Sequence, residues 1–195
     1  SIVLLGPVIA RYPKFKIALP GGCSIGTRGI DLHLEALKLM GVKISIRGGY
    51  VIAERKNKQL NAINHKFPKI SVGATQNIVM AATLASGKTV LKNCAIEPEV
   101  IDLINFLNSC GSKISIKNRT ITILGVEKLH GCTHKILPDM IEIGSWIGLA
   151  AMTQSEIRIK NASLKNLGNI LGVFKKMGFD NENVLRLDLR SQMKP

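Results

Sequence analysis

Three glycines constrain this chain more than any other feature. Gly41, Gly111 and Gly178 each follow an apolar helix pattern, and they stand 70 and 67 residues apart. Glycine just past the last helical turn is a common stop, because it enters the left-handed conformation without a steric penalty. The words near these stops recur as well. Lys43-Ile44-Ser45-Ile46 is nearly repeated by Lys113-Ile114-Ser115-Ile116, and Leu91-Lys92-Asn93-Cys94-Ala95 returns as Ile159-Lys160-Asn161-Ala162. Hydrophobic periodicity within each segment reads helix, strand, helix, strand, strand. A unit of that kind cannot bury its own sheet face, so copies must pack around a shared core.

The first unit starts with a short helix within residues 1–12, running through Pro7 or beginning near it, and a strand over 14–19. A helix follows from Asp31 to about Met40, with Asp31 as N-cap and Leu32, Leu34, Leu37 and Leu39 on its apolar face. Strands 42–46 and 50–54 turn at Arg47-Gly48-Gly49, and a polar stretch over 55–66 leads onward. The second unit has a helix from Ser71 or Thr75 to about Ala85, a strand at 89–92, a helix at 97–108, and strands at 113–116 and 120–123. The third pass opens at Pro138 with a helix over 140–153, a strand at 156–160, a helix over 164–177 and a strand near 184–189. Ile78–Ala85 and Ile147–Met152 are apolar nearly all round, which marks helices without a solvent face. That favours helices gathered inside and sheets outside.

At 195 residues and 46% hydrophobic content the chain can bury a real core, and with only 4% aromatics the core must be aliphatic. A net charge of +14 favours anionic partners: nucleic acid, phosphorylated metabolites or an anionic membrane surface. The lysines are scattered, without a basic tail. One Trp, two Tyr and five Phe are too few for a base-stacking platform, which weighs against a nucleic-acid module built from the same repeat. Ile2–Ala10 is apolar but far short of the ~20 residues a membrane helix needs, and no basic run precedes it, so neither a span nor a secretory signal is expected. With Ser1 in first place, the stretch reads as a helix cut from something longer.

Four cysteines, Cys23, Cys94, Cys110 and Cys132, form no C-x-x-C pair and are expected as reduced thiols of a cytosolic protein. His130-Gly131-Cys132-Thr133-His134 offers three ligand types but no fourth at a zinc spacing, so it reads as a polar turn and no metal is expected. Ser86-Gly87-Lys88-Thr89 imitates the end of a phosphate-binding P-loop. Ala82 stands where that motif needs glycine, and the order is helix then strand, the reverse of a P-loop.

One stretch carries chemistry. The strand pattern Phe15, Ile17, Leu19 runs into Pro20-Gly21-Gly22, then Cys23, with Arg28 five residues on and Asp31 opening the next helix. A thiol on a glycine-rich loop beside a guanidinium can meet an anionic substrate. The alternative is an ordinary strand-to-helix turn with a buried cysteine serving as a small hydrophobe.

The words Leu19-Pro20-Gly21-Gly22-Cys23-Ser24-Ile25-Gly26-Thr27-Arg28-Gly29-Ile30-Asp31-Leu32-His33 resemble the catalytic loop of the UDP-N-acetylglucosamine enolpyruvyl transferase family. The resemblance continues through Lys69-Ile70-Ser71-Val72-Gly73-Ala74-Thr75, Glu97-Pro98-Glu99 and Leu137-Pro138-Asp139, in order and over nearly the whole chain. It implies an α/β fold, an inside-out barrel of repeated βαβαββ-type units with helices inside and sheets outside, and two domains with substrates in the cleft between them. Residues 1–137 then correspond to the last two units of the cysteine-loop domain, and 138–195 to the first unit of the other.

The implied reaction moves the enolpyruvyl group of phosphoenolpyruvate to the 3′-hydroxyl of UDP-N-acetylglucosamine and releases phosphate. It opens peptidoglycan biosynthesis in the cytoplasm, needs no cofactor, and involves neither membrane nor nucleic acid. Cys23 matches the family's proton donor and the site attacked by epoxides such as fosfomycin. Arg28 matches the loop arginine that faces phosphate or carboxylate. The segment Arg28, Gly29, Ile30, Asp31, Leu32 is implied to meet uracil and diphosphate, and Lys69, Ile70, Ser71, Val72, Gly73 to form the second nucleotide-binding segment. Asp31 can accept from the pyrimidine or cap its helix, and Ser71 can contact substrate or act as a plain N-cap. Glu97 and Glu99 are read as structural or loop-positioning residues.

This sequence departs from the family pattern in places. Gly29 stands where proline is usual, and Met140 and Ile143 replace two polar residues in Asp139-Met140-Ile141-Glu142-Ile143-Gly144. The family's Lys-Asn pair, its catalytic aspartate and two of its arginines have no counterpart here, so this polypeptide alone is expected to be inactive. The sister enzyme that makes enolpyruvylshikimate phosphate is the nearest rival, but it is not expected to carry the cysteine loop.

Overall fold

The computed structural model describes residues 2–21, 29–162, 164–178 and 185–188. They fall into two compact units, residues 1–135 and 136–195. In the first, a 3₁₀ turn over Ile2–Leu4 leads into α1 (Leu5–Arg11), then β1 (Lys14–Ala18), α2 (Asp31–Leu39), β2 (Val42–Arg47) and β3 (Tyr50–Arg55). There follow β4 (Asn64–Lys66), α3 (Val72–Ala82), β5 (Lys88–Lys92), α4 (Pro98–Ser109), β6 (Lys113–Lys117) and β7 (Thr120–Leu124). Pro7 sits in the first turn of α1, where a helix tolerates the missing amide.

The repeat appears in the strand order. One sheet runs β1-β3-β2, and the other runs β4-β5-β7-β6. Taking β5, β6 and β7 as counterparts of β1, β2 and β3, the three shared positions follow the same order, with antiparallel neighbours in both. Their hairpins turn at equivalent places, with Arg47 opposite Tyr50 and Lys117 opposite Thr120. The helix-stop glycines Gly41, Gly111 and Gly178 share φ values of 91°, 95° and 88°, so one left-handed exit is used three times.

The strands show why the helices lie inside. Inward positions alternate with outward ones, and Val51, Ala53, Thr89, Leu91, Ile121 and Ile123 are buried. These residues and the helices share one aliphatic core. Helix α3 is its axis, packing on α1, α2, α4 and β7. Ile78 and Val79 are wholly buried, and each such side chain contributes roughly 1.5–3 kcal/mol of hydrophobic stabilisation. Helix α1 lies so close to α3 that a methyl group on Gly6 would collide with the Asn77 carbonyl oxygen. Arg55, at the end of β3, donates from Nε to Ile9 O at 2.8 Å and from Nη2 to Arg11 O at 3.3 Å. A fixed cation thereby closes the carbonyl end of α1.

The second unit holds α5 (Met140–Thr153), β8 (Ile157–Lys160), a 3₁₀ turn (Leu164–Leu167), α6 (Ile170–Lys176) and β9 (Leu185–Asp188), with β8 and β9 parallel. It has its own small cluster around Ile143, Ile147, Ala162 and Leu167.

Four readings of the sequence need correction. Helix α5, read as lacking a solvent face over 147–152, exposes Leu149 and Met152 while burying Ile147, Ala150 and Ala151, because the small core of its unit covers only one of its faces. The polar stretch before the second unit contains β4, which pairs in parallel with β5 through Asn64–Val90, His65–Leu91 and Lys66–Lys92. At three residues it is too short to show a period. The helix read over 164–177 is interrupted, because Gly168 takes φ 51° and separates the 3₁₀ turn from α6. Asp31 is the first helical residue of α2 rather than its N-cap, which is Ile30 and makes no side-chain cap bond. A carboxylate in the first turn still favours the helix through its dipole.

Candidate functional site

The two segments that the resemblance singles out end on the adjoining helices α2 and α3. Cys23 and Arg28 lie outside the described residues. Gly29 and Asp31 are exposed, Ile30 is half-buried, and the Leu32 side chain belongs to the core. Leucine there anchors the helix, leaving its backbone for any outward contact. In the second segment Lys69 and Ile70 are exposed, while Ser71, Val72 and Gly73 are half-buried.

Ser71 is the N-cap of α3: its hydroxyl accepts from the Ala74 amide at 3.3 Å, and its carbonyl accepts from the Thr75 amide at 3.0 Å. The amides of Val72 and Gly73 precede the first intrahelical bond, as do those of Asp31 and Leu32 at the head of α2. The two helix heads touch. A methyl group placed on Gly73 would lie 3.4 Å from His33 Cε1, in the first turn of α2. The described parts of both segments are thus brought side by side, with two sets of early helical amides and the Lys69 charge nearby. Early helical amides and a lysine suit an anion such as diphosphate.

A buried polar joint beneath this surface was not legible in the sequence. Asn77 Oδ1 accepts from the Gly6 amide at 2.6 Å, and its Nδ2 donates to Ile2 O at 3.3 Å and to His33 Nδ1 at 2.9 Å. Because Gly6 N–H can only donate, the amide orientation of Asn77 is fixed, and His33 Nδ1 must accept. The neutral imidazole therefore carries its proton on Nε2. Burial also pushes the His33 pKa below its ordinary value. One residue on α3 thereby ties α1 to α2. The only hint in the sequence was an asparagine within an apolar run.

Thr75, at the end of the second segment, is wholly buried and accepts from the Ala95 amide at 3.1 Å, two residues before Glu97. Pro98 opens α4 after Glu97, and Glu99 lies in its first turn. Asp139 caps α5, accepting from Ile141 N at 2.8 Å and Glu142 N at 3.4 Å. The two apolar departures beside it serve packing: Ile143 lies in the second unit's core and Met140 packs against it.

The His130–His134 stretch is held by bonds to α4. His134 Nε2 lies 3.0 Å from Asp102 Oδ1, and the His130 amide donates to Cys110 O at 2.9 Å. Among the described residues no group of three His, Cys, Asp or Glu side chains is placed to hold a metal ion. No described helix is long and apolar enough to cross a membrane.

The fold is that of the enolpyruvyl transferases. The enolpyruvyl transferase NikO from Streptomyces tendae superposes with a TM-score of 0.66 at 18% identity, covering 90% of this chain and 43% of that one. EPSP synthase from Acinetobacter baumannii gives 0.67 at 21% identity, covering 91% of this chain and 40% of that one. The model of the EPSP synthase (3-phosphoshikimate 1-carboxyvinyltransferase) family matches residues 1–194, and the chain belongs to that family. Within it, the chain is 47% identical over 180 residues to UDP-N-acetylglucosamine 1-carboxyvinyltransferase of Psychrobacter arcticus, covering 91% of this chain and 43% of that protein. It is 46% identical to UDP-N-acetylglucosamine 1-carboxyvinyltransferase 1 of Clostridium acetobutylicum, covering all of this chain and 47% of that protein. The chain thus spans less than half the length of these relatives.

Proposed function

We propose that this chain is the part of a UDP-N-acetylglucosamine 1-carboxyvinyltransferase that carries the proton-donating loop and much of the nucleotide seat. The 47% identity to a relative of that name carries the reading. It is supported by the adjoining helix heads of residues 29–32 and 69–73, whose early amides suit a diphosphate. On this reading residues 1–137 complete the cysteine-loop domain and 138–195 open the other. The whole enzyme acts in the cytoplasm at the start of peptidoglycan synthesis, with roles in cell shape and division.

The chemistry is an addition followed by an elimination. The Cys23 thiol, ordinarily protonated at neutral pH with a pKa near ~8.5, gives its proton to the methylene carbon of phosphoenolpyruvate. The sugar 3′-hydroxyl adds to the adjacent carbon and gives up its proton. Arg28 offers paired donors to the phosphate or carboxylate, where a fixed cation stabilises developing charge. Loss of phosphate, with a proton leaving the new methyl group, restores the double bond in the enol ether. The catalytic aspartate and remaining cations of the family pattern would have to come from other parts of the enzyme.

The test is ligand binding to this chain, read by amide chemical shifts. UDP-N-acetylglucosamine is expected to move the signals of Gly29–Leu32 and Lys69–Gly73, and shikimate 3-phosphate to leave them in place. Response to shikimate 3-phosphate alone would transfer the assignment to the sister reaction, and response to neither would remove the nucleotide seat. The epoxide fosfomycin supplies a second readout, with covalent addition expected at Cys23 and abolished by Cys23→Ser.

A further inference from the structure

Two thiols other than Cys23 meet at the end of α4. Cys110 is the C-cap residue of α4, and Cys132 lies in the segment that follows β7. Their sulfurs are 3.3 Å apart, and both are free thiols. A disulfide needs about 2.05 Å, so the two sulfurs have roughly 1.2 Å to close. The backbone is already joined, because the His130 amide donates to Cys110 O at 2.9 Å. Cys132 is exposed while Cys110 is buried. Both line an open cavity of about 540 Å³, together with Phe106, Leu129 and Arg11. A small oxidant therefore has a path to the pair. Cys94, by contrast, is wholly buried among aliphatic side chains, with its thiol pushed up to about 11.

We propose that Cys110 and Cys132 are a reversible oxidation site, in which a hydroperoxide converts the dithiol to a disulfide that staples the 125–135 segment to the C-terminus of α4. In the first step the exposed Cys132 thiolate attacks one peroxide oxygen. The O–O bond breaks, and the leaving alkoxide or hydroxide takes up a proton to give alcohol or water. The sulfenic acid formed on Cys132 is then attacked by the Cys110 sulfur, and water leaves. Two electrons pass from the two sulfurs to the peroxide, and a thiol reductant reverses the change. The order follows from exposure. It also fits the hydrogen bond that the Cys110 thiol donates to the Cys132 sulfur and the burial of Cys110, which hold the Cys110 thiol protonated above its ordinary range. The proposal is independent of the enolpyruvyl-transfer reading.

The experiment treats the whole chain with graded hydrogen peroxide, blocks remaining thiols, and maps the unreduced digest by mass spectrometry. The expected product is a Cys110–Cys132 linked peptide pair, lighter by two hydrogen atoms than the separate peptides and reversed by dithiothreitol. The melting temperature of the oxidised chain is expected to rise by several degrees over the reduced one. In Cys132→Ser that rise is lost, and Cys110 stays open to alkylation under denaturing conditions after the same dose. Recovery of Cys132 as sulfinic acid, or linked to Cys23 or to a second chain, with Cys110 still alkylatable, would overturn the proposal. The mapping of the unsubstituted chain decides the matter even if the variant fails to fold.

Discussion

Asn77 on α3 donates to His33 Nδ1 on α2 at 2.9 Å, inside a core filled mostly by aliphatic side chains. Asn77 is wholly buried and also bonds Gly6 N and Ile2 O. Asn77→Ala would strand a buried donor and two buried acceptors. Each orphaned group costs about 1–3 kcal/mol, with partial relaxation, so the expected loss is about 3 kcal/mol. Urea unfolding, read as a fall in the midpoint at unchanged slope, measures it. Asn77→Asp is expected to be no better, since a carboxylate cannot donate to Ile2 O or to His33 Nδ1.

The same joint gives the fold a pH dependence. His33 is held neutral by burial, with its pKa below the ordinary value of 6.5. The unfolded chain then binds a proton more readily than the folded one as the pH drops. Its contribution is fully present above the unfolded value, near ~6.5, and is lost as the pH falls from there through the lower native value. The melting temperature is therefore expected to drop between neutral pH and pH ~5. In His33→Gln that drop should be shallower. An equal slope in both proteins would place the acid sensitivity elsewhere.

Two glycines mark places where chain segments meet without room for a side chain. A methyl group on Gly6 would strike the Asn77 backbone, and one on Gly125 would strike the Ala85 carbonyl. Neither neighbour is a flexible side-chain end, so Gly6→Ala and Gly125→Ala are expected to cost upward of about 2 kcal/mol each through overpacking. Gly48 is the contrast: nothing lies within 4 Å, and only its φ of 53° opposes a side chain. Gly48→Ala should cost about 1 kcal/mol. Thermal denaturation of the three variants side by side tests the ranking.

The repeat and most element positions were legible because they rest on local signals. Gly41, Gly111 and Gly178 mark helix ends by conformation, and alternation along Thr120–Leu124 marks a strand by one buried face. β4 was not legible, since Asn64–Lys66 is a strand only by virtue of β5 beside it. The break at Gly168 was hidden because one glycine in a helical pattern is ordinarily tolerated. In the site, the motif words singled out two segments that the structure brings together at the heads of α2 and α3, and Ser71 was read both as a cap and as a contact, of which the cap is seen. The Asn77–His33 joint links residues 44 apart in the chain. No local pattern encodes such a pairing, and neither does any encode the meeting of Cys110 with Cys132 across 22 residues.

The proposed nucleotide seat can be tested by changing charges along its two short segments. Lys69 is exposed just before α3, and Asp31 is exposed at the head of α2. On the proposed function, Lys69→Ala removes a cation from the diphosphate and is expected to weaken UDP-N-acetylglucosamine binding about tenfold, or ~1.4 kcal/mol. Because that attraction is screened, the gap between the two proteins should narrow as salt is raised from low to physiological strength. Asp31→Asn keeps the side-chain shape but replaces one acceptor oxygen with an NH₂ donor facing the pyrimidine imide. It is expected to weaken the uridine nucleotide by a similar factor while leaving inorganic phosphate binding unchanged. Glu35→Gln, exposed one turn further along α2, serves as the control and should leave both affinities within error. Isothermal titration of the four proteins with UDP-N-acetylglucosamine and with phosphate separates a nucleotide contact at Asp31 from a general effect of charge on a basic chain. Equal losses in Asp31→Asn and Glu35→Gln would remove Asp31 from the seat and leave it only its favourable place at the helix head.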